Sequence, residues 1–321
     1  MLVDSQNRII DYMRLSITDR CNLRCGYCMP DGLLPISHDD ILRYEEILRL
    51  CTILSELGIK NIRITGGEPL VRKDCVGLIK RLKHISGVEH VTLTTNAILL
   101  EPYLNQLTEA GLNGINISLD SLNPETYKQI TGKDELGTVL RAIEKALRVG
   151  LNVKINCVLM KGINENDILS MIEYVRSRPI DVRFIEFMPT KFGKTYIGVK
   201  GEDVLKILIS ELNDIEPDPS RHGFGPAKYY KSKSLVGKIG LISAVSEHIC
   251  SECNRLRLTS EGFLKLCLNY NDGPDLRYLL RNGFSDSYIS EKIVNAVLNK
   301  PKEFNFKSNR VGIECMSNIG G

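Results

Sequence analysis

Cys21, Cys25 and Cys28 stand in the run Asp-Arg-Cys-Asn-Leu-Arg-Cys-Gly-Tyr-Cys-Met-Pro, three thiols within one short loop. Thiolates are soft ligands that select iron–sulfur clusters and zinc. A [4Fe–4S] cluster ordinarily takes four Cys thiolates, so a three-Cys loop leaves one iron open to a ligand that is not protein. An open iron points to chemistry rather than to structure. Structural zinc wants four N/S ligands, and no histidine follows at finger spacing, the nearest being His38. Disulfide frameworks belong to small secreted chains, whereas this chain has 321 residues and its first eight lack the apolar core of a secretory leader. Both alternatives rank below a cluster.

A second set repeats the arrangement. Cys250-Ser-Glu-Cys253 is followed by Cys267, with a hairpin between them that turns at Ser260-Glu261-Gly262. Alone, this set could also hold zinc with His248. Two incomplete sets in one chain favour clusters. Of the remaining cysteines, Cys51 and Cys157 fall on apolar faces and read as small buried hydrophobes. Cys75 and Cys315 have no assigned role.

The elements that must position these loops alternate. Six β-like runs, at residues 13–18, 62–66, 91–95, 115–119, 153–159 and 182–187, are separated by helical patterns, clearest at Tyr44–Leu57 and Thr138–Val149. Such alternation implies βα units around a parallel sheet. Gly58 and Gly150 stand where C-terminal helix caps belong. The strands also alternate apolar with polar residues, which fully buried parallel strands seldom do. Met13, Leu15 and Ile17 oppose Arg14, Ser16 and Thr18, and Ile62 and Ile64 oppose Arg63 and Thr65. Ile115 and Ile117 oppose Asn116 and Ser118, and Val153 and Ile155 oppose Lys154 and Asn156. Helices cover the apolar faces, so the polar faces line a lumen that carries Arg14, Arg63 and Lys154. Unpartnered cations are costly to bury, which makes this an anion-binding interior. The predicted fold is α/β, a partial (βα)6 barrel, with its site at the C-terminal strand ends, where Cys21, Gly66, Gly67, Thr94, Asp120 and Met188 fall.

After a helix-like segment over residues 202–212, Pro and Gly at residues 216–226 read as a linker. Residues 228–242 then read as β structure. Two parts are expected, residues 1–215 with the barrel and residues 216–321 with the second cysteine set. Hydrophobic residues at 43% and charged residues at 25% are ordinary for a globular protein with an adequate core. A net charge of +3 is too slight for a nucleic-acid binder. No apolar run reaches the ~18 residues of a membrane span, and a cytoplasmic location is expected.

Taken together, residues 12–30, Arg63-Ile-Thr-Gly-Gly-Glu-Pro-Leu70, Arg183-Phe-Ile-Glu-Phe-Met-Pro189, Cys250-Ser-Glu-Cys-Asn-Arg-Leu-Arg-Leu258, Cys267 and Gly320-Gly321 resemble the GTP 3′,8-cyclases. These are radical S-adenosylmethionine (SAM) enzymes of molybdenum cofactor biosynthesis. The resemblance covers nearly the whole chain. It implies two [4Fe–4S] clusters, on Cys21, Cys25 and Cys28 and on Cys250, Cys253 and Cys267. SAM would bind at the first, against Tyr27, Gly67, Ser118 and Met188. GTP would be held by Arg14, Arg63, Thr94, Lys154, Arg255, Leu256 and Arg257, with its guanine at the second cluster. The implied product is (8S)-3′,8-cyclo-7,8-dihydroguanosine 5′-triphosphate, and the terminal Gly320 and Gly321 would enter the site. A homodimer, an electron donor and a successor enzyme, cyclic pyranopterin monophosphate synthase, are implied as partners. Two positions depart from the family pattern, Ala97 where Gly is usual and Leu266 where Pro is common. A radical SAM peptide maturase would not need the cation set. A non-catalytic iron–sulfur or zinc protein would need neither open irons nor the Gly-Gly-Glu-Pro loop.

Overall fold

The computed structural model describes residues 1–29, 36–189, 195–220, 222–247, 249–304 and 316–319. Six strands, β1 (Tyr12–Ser16), β2 (Asn61–Thr65), β3 (His90–Thr95), β4 (Gly114–Ser118), β5 (Val153–Leu159) and β6 (Ile180–Glu186), pair parallel in chain order. Each carries a β-branched or leucine residue on its outer face. Met13, Leu15, Ile62, Ile64, Leu93, Ile115, Ile155 and Val182 are wholly or almost wholly buried there. Helices α1 (Tyr44–Leu57), α2 (Cys75–Lys83), α3 (Leu104–Glu109), α4 (Pro124–Thr131), α5 (Leu136–Arg148) and α6 (Asp167–Arg176) connect the strands.

In α5 the buried residues Leu136, Val139, Ala142, Ile143 and Ala146 recur three and four apart, forming one apolar stripe. Fully burying one such aliphatic side chain contributes roughly 1.5–3 kcal/mol. At the start of α1, Arg43 N–H donates to Glu46 Oε2 at 2.6 Å. Its end is set by Gly58 at φ 116°, a left-handed cap open to glycine. Cys51, Cys75 and Cys157 are all buried in the apolar core, which gives Cys75 a packing role at the first turn of α2.

The sheet continues beyond six strands. After α7 (Gly201–Glu211) come β7 (Glu216–Asp218), β8 (Lys228–Lys231), β9 (Ile239–Ile242), β10 (Arg255–Leu258) and β11 (Leu264–Lys265). β9 adds parallel to β6 and carries the antiparallel β8 and β7, while β10 adds parallel to β1 and carries the antiparallel β11. Among the described residues the outermost strands β7 and β11 do not pair, so the barrel is open. Helices α8 (Leu276–Arg281) and α9 (Asp286–Leu298) lie outside α1, and the short α10 (Met316–Ile319) follows.

One expectation changes. The segment over residues 216–226 begins as strand β7 and then folds back against the sheet. His222 O accepts from Lys154 Nζ, and the Phe224 ring lies 4.8 Å from His90. Pro217 is tolerated because β7 is an edge strand, where a missing N–H is not needed.

Candidate active site

The loop carrying the first three cysteines leaves β1 and is fastened to the turn after β2. Gly67 N–H donates to Thr18 O at 2.7 Å, and Glu68 N–H donates to Arg20 O at 2.8 Å. A Cβ on Gly67 would lie 2.3 Å from Arg20 O, and one on Gly66 would lie 2.6 Å from Thr18 O. The close approach at these glycines is therefore made by the chain's own backbone. Glu68 is fully buried. It accepts from Leu70 N–H at 3.0 Å, Thr95 Oγ1 at 2.8 Å and Asn96 N–H at 2.7 Å. Burial outweighs these donors and lifts its pKa to about 7. Asn96 Nδ2 in turn reaches Asn22 Oδ1 at 2.8 Å and Cys21 Sγ at 3.8 Å. The next residue, Ala97, sits at φ 64°, the left-handed geometry that explains why glycine suits this position.

Within the loop, Cys25 O accepts from Cys28 N–H at 3.0 Å and Met29 N–H at 2.8 Å, which turns Cys28 back toward Cys25. Burial raises the pKa of the Cys21 and Cys25 thiols, so metal coordination there releases protons. Tyr27 Oη donates to Asp120 Oδ2 at 2.7 Å, while Val158 N–H donates to Asp120 Oδ1 at 2.8 Å. Burial takes the Asp120 carboxyl up to about 6. Phe187 meets Tyr27 edge-on at 6.2 Å.

Cations fill the opposite wall. The register places Arg257, Arg14 and Arg63 side by side on β10, β1 and β2. Burial, reinforced by the charge of Arg257, pulls the pKa of Arg14 down. Burial and the neighbouring Arg255 take Arg257 to about 10. Guanidinium does not shed its proton in proteins, so these shifts reflect first the burial of charge and second the repulsion between neighbours, both of which an anion would relieve. Arg183, buried on β6, donates to Asn116 Oδ1 and is likewise taken to about 10, chiefly by burial. Arg63 Nε, Arg183 Nε, Thr94 Oγ1 and Asn156 Oδ1 are buried with no hydrogen-bond partner among the described residues. Such orphaned groups call for a ligand or water. Lys154 is already engaged by Asp181 Oδ2 at 2.7 Å.

In the second set, Cys253 N–H donates to Cys250 O at 3.2 Å just before β10, and Cys267 follows β11. Burial alone would raise the Cys253 thiol, but the charges of Arg255 and Lys300 bring it to about 7. The short α10 ends at the same place, where Arg257 Nη1 donates to Ile319 O at 3.4 Å.

One cavity of about 1460 Å³ gathers these groups. It is lined by Cys21, Cys25, Cys28, Tyr27, Gly67, Ser118 and Met188, and by Arg14, Arg63, Thr94, Lys154, Arg255 and Arg257, with Cys250, Cys253 and Cys267 at the far side. Leu256 does not line it. Its side chain points the other way, into the apolar core, and only its backbone faces neighbours on the sheet. Gly320, Gly321, His248 and Cys315 lie outside the described residues. All six cavity cysteines are free thiols, half-buried and turned toward open space. No group of three or more His, Cys, Asp or Glu closes around a single ion among the described residues. Two sets of three spaced thiols on a large cavity match the donor chemistry of clusters with one non-protein site. Sequence reasoning put Asn116 on the lumen face but did not read Arg183 or residues 222–226 as parts of this wall, nor Asn96 as a support of Cys21. For Asn116 and Arg183, the alternation along β4 and β6 carried the signal.

The Radical SAM superfamily profile matches residues 15–175, and that of Molybdenum Cofactor Synthesis C matches residues 180–306. The chain is 44% identical over 305 residues to the GTP 3′,8-cyclase of Clostridium perfringens (strain SM101 / Type A), covering 95% of this chain and 94% of that one. It is 44% identical over 331 residues to the GTP 3′,8-cyclase of Petrotoga mobilis, with all of both chains covered. Among solved structures, Streptococcus suis SuiB bound to precursor peptide SuiA superposes with a TM-score of 0.67 at 13% identity. The match covers 98% of this chain and 71% of SuiB, a likeness of fold. Two three-cysteine sets facing one cation-lined cavity on an open parallel barrel, together with full-length similarity at this level, show that the chain belongs to the GTP 3′,8-cyclase family of radical SAM enzymes.

Proposed function

We propose that the chain converts GTP to (8S)-3′,8-cyclo-7,8-dihydroguanosine 5′-triphosphate, the entry to molybdenum cofactor biosynthesis. The observation that carries this reading is the Arg257–Arg14–Arg63 row set between the two cysteine sets on one cavity. Three parallel guanidinium groups suit a polyphosphate, because each offers a bidentate fork. In this reading Cys21, Cys25 and Cys28 hold a [4Fe–4S] cluster. With SAM against Tyr27, Gly67, Ser118 and Met188, a cluster there would supply one electron to break a carbon–sulfur bond of SAM, releasing methionine. Cys250, Cys253 and Cys267 hold a second cluster beside the guanine.

The chain's own residues do the positioning. Asp120 orients the Tyr27 hydroxyl, and Glu68 and Asn96 fix the loop of the first set. Arg14, Arg63, Arg255 and Arg257 take the triphosphate, with Lys154, Thr94 and the Leu256 backbone beside them. His222 and Phe224 line the cavity beside Lys154 and His90. Residues 1–215 carry the SAM side and residues 216–321 the second cluster, across one continuous sheet. The family resemblance assigns the terminal Gly320 and Gly321, which lie outside the described residues, to the substrate as well. A homodimer in the cytoplasm, a low-potential one-electron donor and cyclic pyranopterin monophosphate synthase as successor complete the reading. No helix among the described residues is long and apolar enough to cross a membrane.

Anaerobic incubation with GTP, SAM and a strong reductant, followed by product analysis, tests this directly. The expected result is 5′-deoxyadenosine together with a cyclised triphosphate. SAM cleavage that ignores GTP and yields no cyclised product would overturn it. Reconstituted protein should carry about eight irons per chain. Cys253→Ala should retain about four and still cleave SAM without cyclisation. Zinc, or an iron content that Cys253→Ala leaves unchanged, would contradict the two-cluster assignment.

A further inference from the structure

Two buried cations, Arg8 and Lys300, hold the backbone around the second cysteine set. Arg8 comes from the N-terminal turn, where Asp4 Oδ1 accepts from Gln6 N–H at 2.9 Å and from Arg8 N–H at 3.0 Å. The Arg8 guanidinium is paired with Asp4 Oδ2 at 2.6 Å. It also donates to the carbonyls of Cys250 at 2.8 Å, Pro301 at 2.7 Å and Lys302 at 3.1 Å. Its charge is matched by a carboxylate, so its work at Cys250 is to hold the backbone.

Lys300 differs. It follows α9, is 3% exposed, and its ammonium donates to Arg255 O at 2.9 Å and to Leu266 O. Those carbonyls lie two residues after Cys253 and immediately before Cys267. No ion pair of Lys300 is found among the described residues. Burial, with Arg8 and Arg255 nearby, pushes its pKa down, and negative charge on Cys253 and Cys267 would push it back up. A buried charge without a countercharge is costly. Anionic sulfur on its two neighbours would remove that cost.

We propose that Lys300 is the fixed countercharge of the second cysteine centre, a positioning residue that ties Cys253 to Cys267 and holds the bound cluster at a more positive potential than the thiolates alone would. This rests on the reading that Cys250, Cys253 and Cys267 carry a cluster. A positive charge about 10 Å from an added electron, at an effective dielectric of about 20, favours reduction on the order of tenfold.

The test uses the full chain carrying Cys21→Ala, Cys25→Ala and Cys28→Ala, so that iron reports on the second set alone. Iron is measured after anaerobic reconstitution, and the midpoint potential by dithionite titration followed by electron paramagnetic resonance. The parent should hold about four irons. No iron in the parent would overturn the underlying reading and the proposal with it. With iron present, Lys300→Gln, which keeps hydrogen bonding but not charge, should shift reduction about tenfold, or about 59 mV, to more negative potential. Lys300→Arg should stay within about twofold of the parent, since its charge is kept. Loss of iron in Lys300→Gln with retention in Lys300→Arg also supports a charge role. An unchanged midpoint in Lys300→Gln, or loss of iron in both variants, would overturn it.

Discussion

The side chains of Arg257, Arg14 and Arg63 stand on neighbouring strands roughly 4.8 Å apart, and their repulsion makes each sensitive to the charge brought in by a ligand. Arg63→Ala or Arg257→Ala should therefore weaken GTP far more than guanosine. A charge-assisted contact of about 1.5–3 kcal/mol corresponds to roughly ten- to a hundredfold in affinity. Equal losses for nucleotide and nucleoside, measured by calorimetry, would remove these residues from the phosphate site. Glu68 gives a pH signature. Its carboxyl is raised to about 7 in the fold, so the folded state holds a proton that the unfolded chain releases near the ordinary glutamate value. The cluster-free protein should consequently lose stability as pH rises from about 4.5 to about 7. Glu68→Gln should lack that loss while being less stable by about 1–3 kcal/mol at acid pH, where one of three donors is left without an acceptor. Identical pH profiles in denaturant melts would refute this. Period-two alternation made Arg14, Arg63 and Lys154 legible as lumen residues, because the signal needs only local sequence. Asn96 was not legible as a support of Cys21, since that contact joins residues far apart in the chain.

At the scale of elements, the joint between the cysteine loop and the Gly66-Gly67 turn sets the geometry of the first site. Gly67→Ala places a Cβ against the Arg20 carbonyl, where only backbone can yield. The loop should move as a unit, with iron on the first set falling by more than half while the helices outside the sheet keep their circular dichroism. An iron content equal to the parent would show that the loop tolerates the shift. Strands and helices with a strong period were readable, as α1 with its Gly58 cap illustrates. The segment at residues 216–218 was not, because Pro and Gly signal a turn locally. Its strand character comes from β8, which supplies the partner.

On the scale of the molecule, the last described residues meet the substrate wall through Ile319 and Arg257. Deleting Gly320 and Gly321 should leave iron content and melting unchanged and lower cyclisation by ~10²-fold or more, the scale of a reacting atom misplaced by about 1 Å. Undiminished turnover would place the tail outside the reaction. The pairing of β1 with β10 has a different consequence, for the chain during its synthesis. Tyr12 lies against Arg255 in that pair, so β1 leaves the ribosome long before one of its two partners exists, and β6 likewise waits for β9. Until then the growing sheet has an uncovered hydrogen-bonding edge on each side, the condition that invites pairing between chains. Contacts of such sequence separation also form slowly. The fragment of residues 1–215 should accordingly self-associate when expressed alone, and adding the remaining segment in trans should return it to a disperse state in light scattering. The strands that bring the second cysteine set to the cavity would then also serve, during synthesis, as the cover for an aggregation-prone edge.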